Sequence, residues 1–354
     1  MNIALAQAAL GRGSVEPNPM VGAVIARGDT ELARGRHERF GGPHAEPNAI
    51  AAARTAGVDI TGATMYVTLE PCDHQGKTPP CSRAIIDAGI GRVVVAMVDP
   101  DEQVSGAGIR TLRNAGVQVD VGVCQPEARE LLGAYCKLRT TARPWVICKW
   151  AQTSDGYLAL PPERGRWISC PESLTRLHEI RSWCDGILVG ISTVLADDPM
   201  LTDRSGAERS KPLTRIVLDS HARLPADCKL AIIAAEAPVI VASIEGCRAL
   251  DVRGVELMEL PARDGLVDLD ALLDELGRRQ YTYLLVEGGA KVLGAFIDSG
   301  LADELMVFVS QQVAGDPSLP AFDIAKLGER MSLPDPIETR IGADMLLNYR
   351  FCAL

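Results

Sequence analysis

The sequence lacks an excess of positive charge, a long apolar run and any regular spacing of cysteines, and each absence excludes something. Lysines and arginines number 36 against 46 aspartates and glutamates, a formal charge of −10. Proteins that work mainly by gripping phosphate backbones usually show a basic face, so no nucleic-acid partner is expected. A small anionic substrate remains open, because it needs only a few placed cations. No apolar stretch approaches the ~18 residues that span a bilayer, so no membrane is expected either. The opening MNIALAQAALGRG has neither a basic lead nor a small-residue cleavage site, and reads as a short helix closing at Gly11. Ten cysteines without a repeating pattern suit the reduced thiols of a cytoplasmic protein better than a disulfide framework. Cys124, Cys136, Cys148, Cys170, Cys184, Cys228, Cys247 and Cys352 have no histidine or cysteine at ligand spacing and read as structural. Internal repeats and low-complexity tracts are also missing. A soluble, cytoplasmic protein is the expectation.

What is present points to two domains. The chain has 354 residues, 47% hydrophobic and 23% charged, enough for two ordinary globular units with sizeable cores. In the first part, strands at 20–26, 32–38, 63–69, 92–98 and 117–123 alternate with helices at 48–57, 82–89 and 108–116. Apolar runs without alternation imply strands covered on both faces, hence a partly parallel α/β sheet between helices. The polar segment 138–144, closing with Pro144, is the candidate boundary, dividing the chain into 1–142 and 143–354. Beyond it, strands are expected at 145–151, 186–190, 214–220, 230–243, 305–313 and 345–353. Helices are expected at 171–183 and 268–280, and a strand, glycine turn and helix over 281–300. This second part is a further mixed α/β domain.

The loop TLEPCDHQGKTPPCSRA, residues 68–84, holds two cysteines in a composition that suits neither a core strand nor a core helix. GGPHAEPNAI, upstream, offers His44 and Glu46. A histidine, a glutamate two residues on, then Pro-Cys and a second cysteine is the arrangement of zinc nucleobase deaminases. Three protein ligands, His44, Cys72 and Cys81, leave zinc an open position at which water is acidified. Glu46, beside the metal and not on it, would shuttle protons to the ring and the leaving amine. Cys81 opens a helix, where the dipole favours thiolate. A structural zinc would show a fourth protein ligand instead. Pro47 can be tolerated in a helix's first turn, though it biases Glu46 away from helical geometry.

Eight residues separate Cys72 from Cys81 where the common motif has two. EPCDHQGKTPPC, together with PNPMVGAVI (17–25) and VDPDEQVSGAGIRTLRNAG (98–116), resembles the bifunctional riboflavin-pathway deaminase/reductase family. The resemblance covers essentially the whole chain. It implies a cytidine-deaminase-like α/β/α sandwich followed by a dihydrofolate-reductase-like mixed α/β domain. It also implies zinc and NADPH as cofactors, a small phosphorylated pyrimidine as substrate, and assembly as a homo-oligomer. Asn18 would read the pyrimidine ring, while His37, His74 and Lys77 would contact its other polar groups and the ribose phosphate. From the residues alone, Asn18 is a turn residue between prolines, His37 an exposed strand histidine and Lys77 a solvated charge.

In the second half, YLLVEGGAKVLGAF is a strand, a glycine pair and a helix whose first N–H groups could cradle a phosphate. It is not G-x-G-x-x-G, and by itself it could be a tight turn; likewise 192–199 could be a capped turn. KWAQTSDG, RWIS, GISTVLADDPMLTDR, VLDS and VEGGAKVLGAFIDSGLADEL resemble the family's reductase domain. That resemblance assigns NADPH to Ala151, Trp167, Thr193, Asp197, Ser220 and the turn Gly289, Ala290, Lys291, Val292, Leu293, Gly294 and Ala295. Arg181, Leu201, Arg204 and Glu287 would hold substrate, with the arginines on its phosphate and Lys149 beside the reacting sugar. Gly165 stands where the family usually has a serine, which leaves open an active deaminase joined to an impaired reductase.

Overall fold

The computed structural model describes every residue except 75–78, 102–103, 166, 208, 210, 248–249, 251, 317–326, 328–332 and 352–354. Its internal contacts divide the chain into two units, Met1–Ala142 and Arg143–Ala353.

The first unit runs α1 (Asn2–Ala9), β1 (Gly22–Arg27), β2 (Thr30–Arg36), α2 (Ala45–Thr55), β3 (Thr64–Val67), α3 (Cys81–Asp87), β4 (Arg92–Val95), α4 (Ala107–Asn114), β5 (Gln118–Val121) and α5 (Gln125–Thr141). The strands form one sheet in the order β2-β1-β3-β4-β5. β1 is antiparallel to β2 and β3, whereas β3, β4 and β5 are parallel. Ile25, Met65, Val67, Val93 and Val95 of the sheet and Ala49, Ile85, Leu112 and Leu132 of the helices share one buried core. Each large aliphatic side chain so buried contributes ~1.5–3 kcal/mol.

Two close approaches set where the helix ends lie. A Cβ on Gly35 of β2 would collide with the backbone of Ala45 and Ala49, so α2 rests directly on the strand. A Cβ on Gly108 of α4 would collide with the carbonyl oxygen of Pro71, so the start of α4 lies on the 68–84 loop.

The second unit contains β6 (Trp145–Gln152), α6 (Pro171–Trp183), β7 (Gly186–Gly190), α7 (Ile191–Asp197), β8 (Thr214–Leu218), α8 (Lys229–Ile232), β9 (Val239–Ile244), β10 (Val255–Leu260), β11 (Ala262–Arg263), β12 (Leu266–Val267), α9 (Leu269–Arg278), β13 (Tyr283–Val286), α10 (Ala290–Asp298), β14 (Glu304–Val309), β15 (Ile337–Ile341) and β16 (Asp344–Arg350). Among the described residues its main sheet has the order β10-β9-β8-β7-β13-β6-β14-β16-β15. Pairing is parallel from β10 to β14 and antiparallel through β16 to β15. Asp268 starts α9 by accepting the N–H groups of Asp270 and Ala271, the usual work of an N-cap carboxylate.

Several expectations need correction. The polar segment 138–144 is not a linker throughout: Leu138 to Thr141 complete α5, whose 17 residues bury Leu132, Tyr135, Cys136 and Leu138. The apolar run 230–243 is not one strand. Its alanine-rich first part forms α8 and a turn, Pro238 intervenes, and only Val239–Ile244 pairs. Residues 192–199 begin as α7, and residues 290–295 are the first turns of α10, with Gly289 as N-cap. β10 carries no alternation that marks it in the sequence. No disulfide joins any of the nine described cysteines. No helix among the described residues is long and apolar enough to cross a membrane.

Replacing Gly108 by alanine should destabilise the first unit by ~1–3 kcal/mol through overpacking against Pro71. Urea unfolding measures this, and an unchanged midpoint would show that α4 can move away from the loop freely.

Candidate functional site

Helix starts assemble the first site. His44 is the residue that precedes α2, Cys81 is the first residue of α3, and Cys72 lies in the loop after β3. His44 Nδ1 is 3.5 Å from Cys72 Sγ and 3.3 Å from Cys81 Sγ, and the three ligand atoms lie within 4.8 Å of one another. Zinc bonded tetrahedrally to one imidazole and two thiolates would hold nitrogen and sulfur about 3.5 Å apart. The donor set therefore fits zinc in type, number and separation. A hydrogen bond from the Cys81 thiol and the nearby His44 draw Cys72 down to about 4, while the same bond and burial push Cys81 upward. Interaction with Cys72 raises His44.

Glu46 lies in the first turn of α2, 3% exposed, and its Oε2 has no hydrogen-bond partner among the described residues. Burial, reinforced by the Cys72 thiolate, lifts its pKa to about 7. Pro47 is accommodated within the first turn and Glu46 stays helical, because proline's missing N–H falls where the helix has no acceptor to offer. A carboxyl group poised near neutrality, with one oxygen unclaimed, can accept a proton and return it.

A cavity of about 370 Å³ opens beside these residues, lined among others by Asn18, His37, Phe40, His44, Glu46, Cys72, His74, Asp99, Tyr135 and Arg139. His37 is not an exposed strand residue: it follows β2, is 2% exposed and stacks edge-on to His44 at 5.3 Å. Burial lowers its pKa. Its Nδ1 pairs with the Pro43 carbonyl at 2.9 Å and its Nε2 with Asn18 Nδ2 at 3.2 Å. In that chain the neutral ring donates from Nδ1 to Pro43 and accepts from the Asn18 amide, which fixes how Asn18 faces the cavity. His74 lines the same space, while Lys77 lies outside the described residues.

Two carboxylates that sequence reasoning missed hold the ligand loop. Asp73 accepts from the hydroxyls of Ser82, in α3, and of Thr111, in α4, the latter at 2.7 Å. Glu70, 4% exposed, accepts the N–H groups of Asp99, Gly106 and Ile109 at 3.3, 2.8 and 3.2 Å. Both flank Pro-Cys in E-P-C-D, so their position was the available signal. Tyr135 and Arg139 were missed because α5 was not read as a helix. Replacing Asp73 by alanine should weaken zinc binding ~10–100-fold, as removal of groups orienting a metal site generally does. Competition with a chromogenic chelator measures this; undiminished affinity would mean the loop is held by other contacts.

In the second unit the candidate residues gather at the carboxyl ends of parallel strands, where open α/β sheets hold ligands. Ala151 is near the end of β6, Thr193 and Asp197 are in α7 after β7, Ser220 follows β8 and Glu287 follows β13. Arg181 grips Glu287 with both prongs, Nε to Oε1 and Nη2 to Oε2 at 2.8 Å each, and donates from Nη1 to the Thr202 carbonyl at 3.0 Å. Lys149 Nζ stands 3.9 Å from Glu287 Oε2. Burial lowers the Lys149 pKa; it would raise that of Glu287, but Arg181 and Lys149 together hold the carboxylate below its usual range. Arg181's fork is thus turned inward, and Arg204 is the more exposed arginine, with Nε on Thr202 Oγ1 at 3.2 Å and its N–H on His178 Nδ1 at 3.3 Å. Leu201 between them is buried with φ of +50°, an uncommon backbone for a leucine that a folded surround must enforce.

Of the residues expected to hold the cofactor, Thr193 lies across from the start of α10. A Cβ on Gly289 would find only Thr193 Oγ1, at 3.9 Å, so α7 and the start of α10 face each other with space between. The α10 N-terminus has no side-chain cap, which leaves backbone N–H groups for a phosphate. That fits a pyrophosphate-bearing dinucleotide. Ser220 Oγ accepts the Val267 N–H at 3.2 Å, and Trp167 is 65% exposed. Gly165 has φ of +94° with nothing within 4 Å of an added Cβ, so a left-handed turn, and not crowding, accounts for glycine there.

Comparison with known proteins agrees with this geometry. Residues 1–97 match the cytidine and deoxycytidylate deaminase zinc-binding region, and residues 144–326 match the RibD C-terminal domain. The riboflavin biosynthesis protein RibD of Aquifex aeolicus is 38% identical over 99% of this chain and 97% of its own length. That of Escherichia coli is 36% identical over 88% of this chain and 87% of its own. The crystal structure of a diaminohydroxyphosphoribosylaminopyrimidine deaminase/5-amino-6-(5-phosphoribosylamino)uracil reductase from Thermotoga maritima superposes with a TM-score of 0.86 at 35% identity, covering 99% of this chain and 97% of that one. The chain belongs to the RibD family of riboflavin biosynthesis proteins.

Proposed function

We propose that the chain carries out two consecutive steps of riboflavin synthesis. Its first unit hydrolytically deaminates 2,5-diamino-6-ribosylamino-4(3H)-pyrimidinone 5′-phosphate. Its second reduces the ribosyl group of the product to ribityl with NADPH. The observation that carries the reading is the triangle of His44, Cys72 and Cys81 beside a buried glutamate with one unpartnered oxygen.

His44, Cys72 and Cys81 would hold zinc, which would supply the Lewis acid that makes water nucleophilic near neutral pH. Asn18, held by the neutral His37, orients the pyrimidine ring in the cavity. Glu46 takes a proton from the attacking water and gives it to the adjacent ring nitrogen. It then carries the second proton to the amino group, so that the carbon–nitrogen bond breaks, the ring carbon becomes a carbonyl and ammonia departs. Burial of Glu46 keeps its proton affinity high enough for both transfers.

In the second unit NADPH supplies the hydride. The Gly289 turn, with Ala290, Lys291, Val292, Leu293, Gly294 and Ala295 following it, would hold the cofactor together with Thr193 and Asp197. Lys149, lowered by burial and tied to Glu287, lies beside the sugar and can release a proton to the oxygen freed as the sugar ring opens. Arg204, Leu201 and the Arg181–Glu287 pair shape the substrate end.

Glu46→Gln should retain zinc and lose deamination by at least ~10²-fold, the usual contribution of a positioned general base. Ammonia release and metal analysis check this, and normal turnover would overturn the proton role. Lys149→Ala should leave ammonia release unchanged while reduction falls by ~10²-fold or more. Equal loss of both reactions would mean that the two units do not work separately.

A further inference from the structure

The cavity of the first unit contains a cation that neither the metal site nor the proton shuttle uses. Arg139 lies in the last turn of α5, and its guanidinium carbon sits 5.4 Å from the centre of the Tyr135 ring, one turn earlier. Its one hydrogen bond among the described residues is a long one, from Nη2 to the Pro17 carbonyl at 3.5 Å. Its Nε is buried and donates to no acceptor among the described residues. A guanidinium has five N–H donors in a rigid fork, and a buried donor without an acceptor is costly enough to need a reason.

Neighbouring acids do not supply that reason. Glu70 accepts three backbone N–H groups. Asp99 accepts the Tyr135 hydroxyl at 3.1 Å and the Asp101 N–H at 2.9 Å. Neither forms an ion pair with Arg139. Among the described residues Arg139 is the only lysine or arginine that lines the cavity. The cation–π contact with the Tyr135 ring at 5.4 Å restrains the guanidinium before any ligand arrives, so less freedom is lost when one binds.

We propose that Arg139 is an anion-binding residue of the deaminase cavity and holds the phosphate group of the substrate. The inference rests on the reading above that this substrate is a phosphate ester. A phosphate offers the planar fork two acceptors at once, which is the geometry guanidinium groups suit best. The turn 15–19 then has two tasks: Asn18 faces the ring, and the Pro17 carbonyl steadies the arginine that faces the phosphate.

The test compares zinc-loaded wild type, Arg139→Ala and Arg139→Lys on the ribosylaminopyrimidine phosphate and on its dephosphorylated counterpart, following ammonia. Arg139→Ala should raise KM for the phosphorylated substrate ~10–100-fold, as loss of a charge-assisted hydrogen bond implies, with kcat little changed. On the dephosphorylated compound it should match wild type, and Arg139→Lys should fall between. Equal losses on both compounds would overturn the proposal in favour of a role in neutralising Asp99 and Asp101 or in stability. No change on either would overturn it outright. Calorimetric titration with inorganic phosphate, with NADPH and the ribitylamino product saturating the second unit, needs no turnover: wild type should bind one phosphate that Arg139→Ala does not. If phosphate binds in this Arg139-dependent way while wild type releases no ammonia, the deaminase reading fails and the anion site stands. Indistinguishable phosphate titrations of wild type and Arg139→Ala would overturn the anion site.

Discussion

Three soft donor atoms from separate segments have to meet within one metal's reach, and the first unit is arranged around that requirement. His44 and Cys81 come from the starts of two helices, so each ligand sits where backbone N–H groups and the helix dipole favour negative charge. α2 could not rest on β2 without the bare backbone of Gly35, nor could α4 approach the Cys72 loop without that of Gly108 against Pro71. Cys72 belongs to a loop with no regular structure of its own. Its position is secured by Asp73, bonded to Ser82 and Thr111, and by Glu70, which ties the loop to the start of α4. A proton shuttle then comes with the ligand: Glu46 follows His44 by two residues in the same helical turn, too close to be placed independently of the metal.

The second unit solves a different problem with similar means. Its cluster of Lys149, Arg181 and Glu287 is almost dry, with side chains 10–13% exposed. Two cations and one anion in that setting are tolerable because the carboxylate is held bidentately and the lysine is pulled toward its neutral form. Flanking strands end at one edge of the sheet, so Ala151, Thr193, Ser220 and Glu287 converge although 136 positions separate the first from the last in sequence.

How much of this was legible in the sequence depended on how local each signal is. The ligand set was readable because histidine, glutamate and two cysteines announce themselves by chemistry and short spacing. Strands such as Gly186–Gly190 and Thr214–Leu218 were readable from continuous apolar runs. The helix Gln125–Thr141 was not, since its mixed face and the polar residues before Pro144 resemble a linker; Tyr135 and Arg139 went unseen with it. His37 was misjudged because burial is a tertiary property: in a strand-like, arginine-rich context nothing local shows that Pro43 and Asn18 will enclose it. The split of 230–243 between helix and strand came down to Pro238. Arg181 suited a phosphate by type, and only the fold reveals that Glu287 engages its fork.

The account stands on two chemistries in one chain, and a paired assay tests that most directly. Purified, zinc-analysed protein is given the diaminopyrimidinone ribosyl phosphate with NADPH, and ammonia release and NADPH oxidation are followed together. The account predicts about one zinc per chain, as a single three-ligand site implies, with ammonia appearing first and NADPH consumption following in equal amount. Zinc-loaded protein that releases no ammonia, or that releases it without ever oxidising NADPH, would contradict the account.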